Sequence, residues 1–219
     1  MLTIDKNSLV LIALCSLATG CASTEPTAYS ALSSAAELRP NTADRTGRMP
    51  YRYQGNADWR QYSSIIVDPV VIYSGADNQF GKMADTDKAA LASYMQSEFS
   101  AQARTRFAIV TRPTPQTLRL RLTLTGAKEN TPVLGTVSRF DLLGGPYNAV
   151  QAVRGREGTL TGSVNYAVEI YDAGSGRLLS AYIAKQYPGA LNVGASLAPL
   201  QAAKVGIQKG AEAFVAQMR

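Results

Sequence analysis

Leucine and polar residues alternate with unusual regularity in one stretch of the chain. Over residues 117–125 every second side chain is a leucine, and the side chains between them are arginine or threonine. Successive side chains of a strand point to opposite faces, so this pattern predicts a strand with one dry and one wet face. A second alternation, over residues 158–172, places Ser163, Asn165 and Glu169 on a wet face. After a Gly-Ser-Gly turn, residues 178–187 are predicted to pair back as an antiparallel strand.

Apolar residues at helical spacing predict two helices. Leu91, Met95 and Phe99 recur every four residues within a helix predicted over residues 85–106, for which Asp85-Thr86-Asp87 supplies N-cap candidates. A second apolar stripe predicts a helix over residues 196–218 that covers the sheet.

Shorter β-branched runs complete the predicted sheet. Residues 62–73 form one such run, interrupted at Asp68-Pro69, and residues 107–111 form another. Pro69 cannot donate to a ladder, so it marks a bulge, an edge or the end of a strand. The order of elements predicts an α/β fold for residues 59–219: a single-domain, two-layer sandwich with a mixed sheet of about five strands and two long helices on one face.

The first 21 residues resemble a targeting signal. The apolar run over residues 9–17 is about half of the roughly 20 residues that span a bilayer, so residues 1–20 are predicted to be a signal peptide. Leu17-Ala18-Thr19-Gly20-Cys21 resembles a bacterial lipobox, which implies cleavage before Cys21 and acylation of its side chain. In that class of protein an Asp after the cysteine favours the inner membrane. Ala22 in that position implies the periplasmic face of the outer membrane.

Residues 21–58 are predicted to form a flexible tether. They are rich in Ser, Thr, Ala and Pro and show no sustained period of 2 or 3.6. A basic stripe within them has two interpretations: contact with anionic lipid or cell-wall polymer, or a solvated linker whose last turns lie on the domain. The stripe consists of Arg39, Arg45, Arg48 and Arg52.

The amino-acid composition excludes several kinds of catalysis and metal binding. The 219 residues include no histidine and two cysteines, both within the first 21 residues. Histidine-dependent catalysis and histidine metal ligation are therefore excluded, and we predict no catalytic residue, metal or cofactor. The net charge of +6 is spread along the chain without a nucleic-acid-binding motif, so nucleic acid is not an expected partner.

Arginines provide the candidate binding surface. Arg119 and Arg121 lie on the wet face of the predicted strand over residues 117–125. Tyr147, Arg154 and Arg156 lie in a connection, residues 129–156, that is long for a compact domain and therefore a candidate functional surface. The alternative for these residues is an ordinary solvated surface.

Carboxylates support an alternative function, hydrolysis of cell-wall glycan, which needs two facing carboxyl groups. Asp68 is predicted instead to stabilise a turn through backbone N–H groups, and Glu169 to pair across strands with Arg119 or Arg121. Asp141 and Asp172 are the other two candidates.

Several of these features occur together in one family. The lipobox, Asp58-Trp59-Arg60, the run Ile66-Val67-Asp68-Pro69-Val70 and Glu169-Ile170-Tyr171-Asp172 together resemble an uncharacterised bacterial lipoprotein family, domain of unknown function 3313. The resemblance implies an envelope lipoprotein without an established activity. We therefore expect a non-enzymatic protein, anchored through lipid at Cys21, that binds another envelope protein or a cell-wall component. The alternatives are the glycan hydrolase and a structural binder of peptidoglycan or anionic lipid.

Overall fold

A mixed sheet runs through the part of the chain that the computed structural model describes, residues 25–130, 162–189 and 198–218. Within these residues the sheet has eight strands, and two α-helices are present. The elements in chain order are β1 (Arg39–Pro40), β2 (Tyr51–Gln54), β3 (Ser64–Val67), β4 (Val71–Ile72), α1 (Asp85–Ala103), β5 (Ala108–Ile109), β6 (Thr117–Lys128), β7 (Ser163–Asp172), β8 (Leu178–Gln186) and α2 (Gln201–Ala216).

The strand order confirms an α/β fold with a mixed sheet. Along the sheet the order is β1-β2-β8-β7-β6-β3-β5, with β4 paired to β6 beyond the end of β3. Strands β6, β7 and β8 are antiparallel, whereas β3, β4 and β5 pair in parallel. The prediction of about five strands is wrong. Pro69 divides the run over residues 62–73 into β3 and β4, and the residues predicted to be a tether supply β1 and β2.

Both helices pack on the face of the sheet that carries the alternating leucines. Phe99 of α1 lies between two rings, with its centroid 5.7 Å from that of Tyr166 in β7 and 5.8 Å from that of Phe214 in α2. One hydrophobic core therefore joins the sheet to both helices. Helix α1 begins as the pattern predicted, but its N-cap is Ala84, without a side-chain hydrogen bond, and Asp85 lies in the first turn.

The opposite face of the sheet is covered by residues 25–38, which we call the N-terminal segment. Tyr29, Leu32 and Leu38 are buried, and they pack on a patch of the sheet that includes Ala181 and Ile183. Residues 25–58 thus differ from the predicted flexible tether. The few apolar side chains of this segment are enough to order it because the sheet face buries them.

The predicted basic stripe is also partly absorbed into the domain. The Arg48 guanidinium carbon lies 4.0 Å from the centroid of the Tyr187 ring, and Arg48 Nη1 donates to Gln186 Oε1 at 2.9 Å. Arg39 Nη1 donates to the carbonyl oxygen of Ala36 at 2.6 Å. Arg48 therefore holds the chain against the sheet, and Arg39 makes a local contact within the N-terminal part of the chain.

Because the N-terminal segment covers it, the second face is not the wet face that alternation predicted. Thr123 and Thr125 of β6, and Ser163, Asn165 and Glu169 of β7, are all buried. Asn165 Nδ2 donates to Gln79 Oε1 at 2.7 Å, one example of how a buried polar group on this face is satisfied. Among the described residues, no helix is long and apolar enough to span a membrane.

Helix α2 approaches the sheet closely at a glycine. Gly210 faces Tyr166, whose side chain is 1% exposed, and a Cβ atom at position 210 would overlap the tyrosine hydroxyl. A buried ring cannot move aside without disturbing the packing around it. Glycine at this position therefore sets the distance between α2 and β7.

We expect Gly210→Ala to destabilise the protein by about 1–3 kcal/mol, the usual cost of overpacking a core. Helix propensity alone would favour alanine by about 1 kcal/mol. The sign of the change in the free energy of unfolding therefore shows whether overpacking or helix propensity dominates. Urea unfolding followed by circular dichroism measures it. The adjacent exposed Lys209→Ala is the control and should change stability by less than about 0.5 kcal/mol. Adding Tyr166→Phe should restore part of the loss, and no loss at all in Gly210→Ala would contradict the observed packing.

Candidate functional site

A groove of about 620 Å³ opens on the face of the sheet that carries the N-terminal segment. We call it the arginine groove. Strand β4 and the residues before it form one wall, β6 forms the floor, and the N-terminal segment forms the other wall. Its lining includes Asp68, Val71, Ile72, Arg119, Arg121 and Glu169.

The pairing of β3 with β6 brings the charged residues of this groove together. The backbone N–H of Asp68 donates to the carbonyl oxygen of Leu120 at 3.0 Å, which places the Asp68 side chain between the arginines on either side. Its carboxylate lies 3.4 Å from Arg119 Nη1 and 3.3 Å from Arg121 Nε. The sequence prediction that Asp68 serves a local turn is therefore replaced by a long-range contact with two guanidinium groups.

Glu169 does not pair with the arginines, although Arg121 lies directly opposite it in the β6–β7 register. Its carboxylate is buried and accepts a hydrogen bond from the backbone N–H of Ser34 at 2.7 Å and from the Tyr171 hydroxyl at 3.3 Å. The predicted cross-strand ion pair is thus wrong. The N-terminal segment supplies a buried N–H donor that Glu169 must satisfy, and Asp68 is the carboxylate left for Arg121.

Tyr171 links the two parts of this arrangement. Burial, and secondly the negative charge of Glu169, raise the pKa of the Tyr171 hydroxyl to about 12. The phenol therefore stays neutral at physiological pH and donates its hydrogen bond to Glu169. The Arg121 guanidinium carbon lies 5.0 Å from the centroid of the Tyr171 ring, a distance suited to a cation–π contact.

The groove is lined by two arginines and two carboxylates, but Glu169 is buried, so the accessible charges are the guanidinium groups of Arg119 and Arg121 and the Asp68 carboxylate between them. The side chains of Arg119 and Arg121 are 34% and 46% exposed, so both remain accessible to a ligand. Beside them, Val71 and Ile72 of β4 are exposed at 57% and 38%, although both are large aliphatic residues. This combination suits a ligand that carries an anionic group next to an apolar one.

The aliphatic wall of the groove was missed in the sequence. A β-branched run such as residues 62–73 is typical of a strand buried on both faces, so it does not indicate that Val71 and Ile72 are exposed. The available signal was Pro69, which lies between β3 and β4 and separates Val71 and Ile72 into a short strand that pairs with β6.

The other predicted site residues are distributed differently. Cys21, Tyr147, Arg154, Arg156 and Asp141 lie outside the described residues. Asp172 lies at the β7–β8 hairpin, at the end of β7, where its carboxylate accepts from the backbone N–H of Ser175 at 2.7 Å and from the Tyr62 hydroxyl at 2.9 Å. The hydrogen bond from the Ser175 N–H is the main cause that lowers the pKa of Asp172. Its role is to hold the turn.

A family model described as "Protein of unknown function (DUF3313)" matches residues 28–214. The match confirms the resemblance to domain of unknown function 3313, whereas the lipobox at residues 17–21 lies outside the matched residues. It also begins within the N-terminal segment, in agreement with the packing of that segment on the sheet. No curated protein matches the chain.

Solved structures resemble the chain only distantly. A PelC dodecamer from Paraburkholderia phytofirmans is 9% identical, with a TM-score of 0.37 over 74% of this chain and 92% of that one. A hypothetical protein from Chlamydia trachomatis is 12% identical, with a TM-score of 0.38 over 71% and 95%. A DUF330 protein from Xanthomonas campestris is 8% identical, with a TM-score of 0.37 over 74% and 87%.

The two carboxylates of the groove are expected to differ in their effect on stability. Glu169→Ala leaves the buried Ser34 N–H without its acceptor and should lower the free energy of unfolding by about 1–3 kcal/mol. Asp68→Ala removes a partly exposed ion pair and should cost less than about 1 kcal/mol. Urea unfolding measures both.

Ser34→Ala is the matched control for this comparison. Its backbone N–H is retained, and the buried Ser34 Oγ has no hydrogen-bond partner among the described residues, so stability should change by less than about 0.5 kcal/mol. Equal losses in Asp68→Ala and Glu169→Ala would show that Glu169 does not hold the N-terminal segment.

Proposed function

We propose that this chain, which belongs to the DUF3313 family of proteins of unknown function, is a non-enzymatic lipoprotein of the bacterial envelope whose α/β domain binds another envelope component. In this proposal the chain is acylated at Cys21 and lies on the periplasmic face of the outer membrane. The observation that carries the binding role is the arginine groove, where two accessible guanidinium groups lie beside an exposed aliphatic wall.

The proposed cellular location is based on the N-terminal sequence. Leu17-Ala18-Thr19-Gly20-Cys21 follows an apolar run that is too short to span a bilayer. We propose the outer membrane because the residue after the cysteine is Ala22 and not an aspartate. Several acyl chains on one cysteine anchor a protein far more firmly than one chain, since each buried methylene contributes about 0.8 kcal/mol. A lipid anchor therefore needs no spanning helix.

The binding role follows from the chemistry of the groove. Arg119 and Arg121 are held in a fixed spacing by β6, and Asp68 lies between them, so a bound anion would meet a preorganised pair of donors. Val71 and Ile72 offer apolar surface within the same groove. An acidic segment of an envelope protein, with a carboxylate next to an aliphatic side chain, matches both features.

A glycan hydrolase is the second candidate, because Asp68 and Glu169 line the same groove. Each of these carboxylates already has partners: Asp68 contacts two arginines, and the buried Glu169 accepts from Ser34 and Tyr171. We place hydrolysis second for that reason. Turnover of purified peptidoglycan that is lost in Asp68→Asn would reverse this order.

Anchoring is tested at Cys21. We expect the wild-type chain to incorporate radiolabelled palmitate and to fractionate with membranes, and Cys21→Ala to remain uncleaved and unlabelled. Cys15→Ala is the control, since that residue lies within the predicted signal peptide and should leave labelling unchanged. Labelling that persists in Cys21→Ala would contradict the proposed acylation site.

The arginine groove is tested by reversing its charge. A photocrosslinking residue at Val71 should give a specific adduct in intact cells, and Arg119→Glu/Arg121→Glu should reduce that adduct at least tenfold, because an anionic partner is then repelled. Arg104→Glu/Arg112→Glu makes the same change in net charge at two exposed arginines outside the groove and should leave the adduct intact. The assay is adduct yield on a gel, followed by identification of the partner.

The same variants separate protein binding from a structural role on the cell wall. Retention on purified sacculi that falls with salt and with Arg119→Glu/Arg121→Glu, without any protein adduct, would favour direct docking on peptidoglycan. An unchanged adduct in the charge-reversed variant would remove the groove from the proposal.

A further inference from the structure

The described part of the chain begins at a fixed point on the domain. The carbonyl oxygen of Glu25 accepts from Gln79 Nε2 at 2.8 Å, and Glu25 Oε1 lies 3.6 Å from Lys185 Nζ. Pro26, the next residue, is buried. The N-terminal segment is therefore attached to the sheet from its first described residue.

This attachment lies at one end of the long strands. Gln79 bridges to Gly126 near the end of β6, and Lys185 lies near the end of β8. The hairpin that contains Ser175 lies at the opposite end. In the β6–β7 register Lys128 pairs with Ser163 and Leu118 with Asp172, so ten residues at about 3.4 Å each separate the two ends by roughly 34 Å.

A second groove, of about 580 Å³, opens at the end where Glu25 is attached. We call it the anchor-side groove. Lys82 and Lys128 line it and are exposed, while Lys185, also in its wall, is buried and lies next to Glu25. One exposed carboxylate, Glu129, lies in the same wall. The exposed charge of this groove is therefore positive on balance.

Four residue steps connect Cys21 to Glu25. At no more than about 3.6 Å per residue they span at most roughly 14 Å. The headgroup layer on one side of a bilayer is about 5–8 Å thick. An acylated Cys21 at the edge of the hydrocarbon would therefore keep Glu25, and the groove around it, at or just above the headgroups.

We infer that the anchor-side groove faces the lipid surface, with Lys82 and Lys128 against headgroup phosphates. The inference rests on the acylation of Cys21 in the proposed function and adds the orientation of the domain to it. The tether predicted for residues 21–58 would have left the domain free to turn. The packing of residues 25–38 shortens that tether and selects one end of the sheet.

The orientation has a consequence for the arginine groove. Asp68 hydrogen-bonds to Leu120, six residues along β6 from Gly126, which corresponds to about 20 Å along the strand. The arginine groove thus stands above the headgroups and opens sideways to a partner.

Cysteine labelling tests the orientation. The only cysteines of the chain are Cys15 and Cys21, so Lys82→Cys, Lys128→Cys or Ser175→Cys gives one free thiol in the mature, acylated protein. Each variant is labelled with bimane and reconstituted into phosphatidylcholine–phosphatidylglycerol vesicles that contain brominated lipid. We expect fluorescence to fall at least threefold at positions 82 and 128. At position 175 we expect less than a tenth of the fluorescence to be lost.

The outcomes separate the orientation from the anchor. Protein that floats with the vesicles but is quenched equally at 82 and 175, or more strongly at 175, overturns the orientation and leaves acylation intact. Protein that neither floats nor carries palmitate overturns the anchor, and the orientation with it.

A charge reversal tests the lysines themselves. Quenching at Lys82→Cys should fall at least twofold when Lys128→Glu is added. It should stay unchanged when the added variant is Lys209→Glu, an exposed lysine halfway along α2. Quenching that is the same in all three proteins would overturn the role of the lysines and leave the short tether as the sole cause of the orientation.

Discussion

The burial of strand β7 on both of its faces is the constraint on which the rest of the structure depends. Residues 163–170 are all buried, although polar and apolar side chains alternate along them. The apolar side chains of one face meet the helices, and on the other face Ala167 and Glu169 meet the N-terminal segment. A buried carboxylate needs a donor, so Glu169 requires the Ser34 N–H, and this hydrogen bond joins the N-terminal segment to a strand 135 residues further along the chain.

The arginine groove exists because that cover is incomplete. The N-terminal segment buries the sheet around Ala181 and Ile183 and leaves the strip of β6 beside β3 and β4 open. Arg119 and Arg121 lie in this open strip, and Glu169, one strand away, lies beneath the cover. The path of the N-terminal segment therefore decides which charged side chains are buried, as Glu169 is, and which stay accessible, as Arg119 and Arg121 do. The same path brings Glu25 to one end of the sheet, and the proposed orientation on the membrane rests on that attachment.

Much of the fold follows from local patterns. The leucines over residues 117–125, the stripe Leu91, Met95 and Phe99, and the apolar face of the last helix each bury where their period predicted. Strands β1, β2 and β4 did not follow from pattern, because each is short and is held by its pairing partner. Only part of the candidate site could be predicted from the sequence. The alternation predicted Arg119 and Arg121 as exposed residues, but it did not predict Asp68 as their partner.

By itself, then, the sequence determined the identity and order of the long elements, the apolar face of each, the family and the candidate address at Cys21. These properties depend on residues that are neighbours in the chain or one helical turn apart. Tertiary structure alone decided which polar face would be covered and which carboxylate the arginines would meet. Both outcomes depend on contacts between residues about 50 to 135 positions apart, such as Asp68 with Arg119 and Ser34 with Glu169, which form only when strands pair across the sheet. Periodicity describes one element at a time, and a binding groove is made by several.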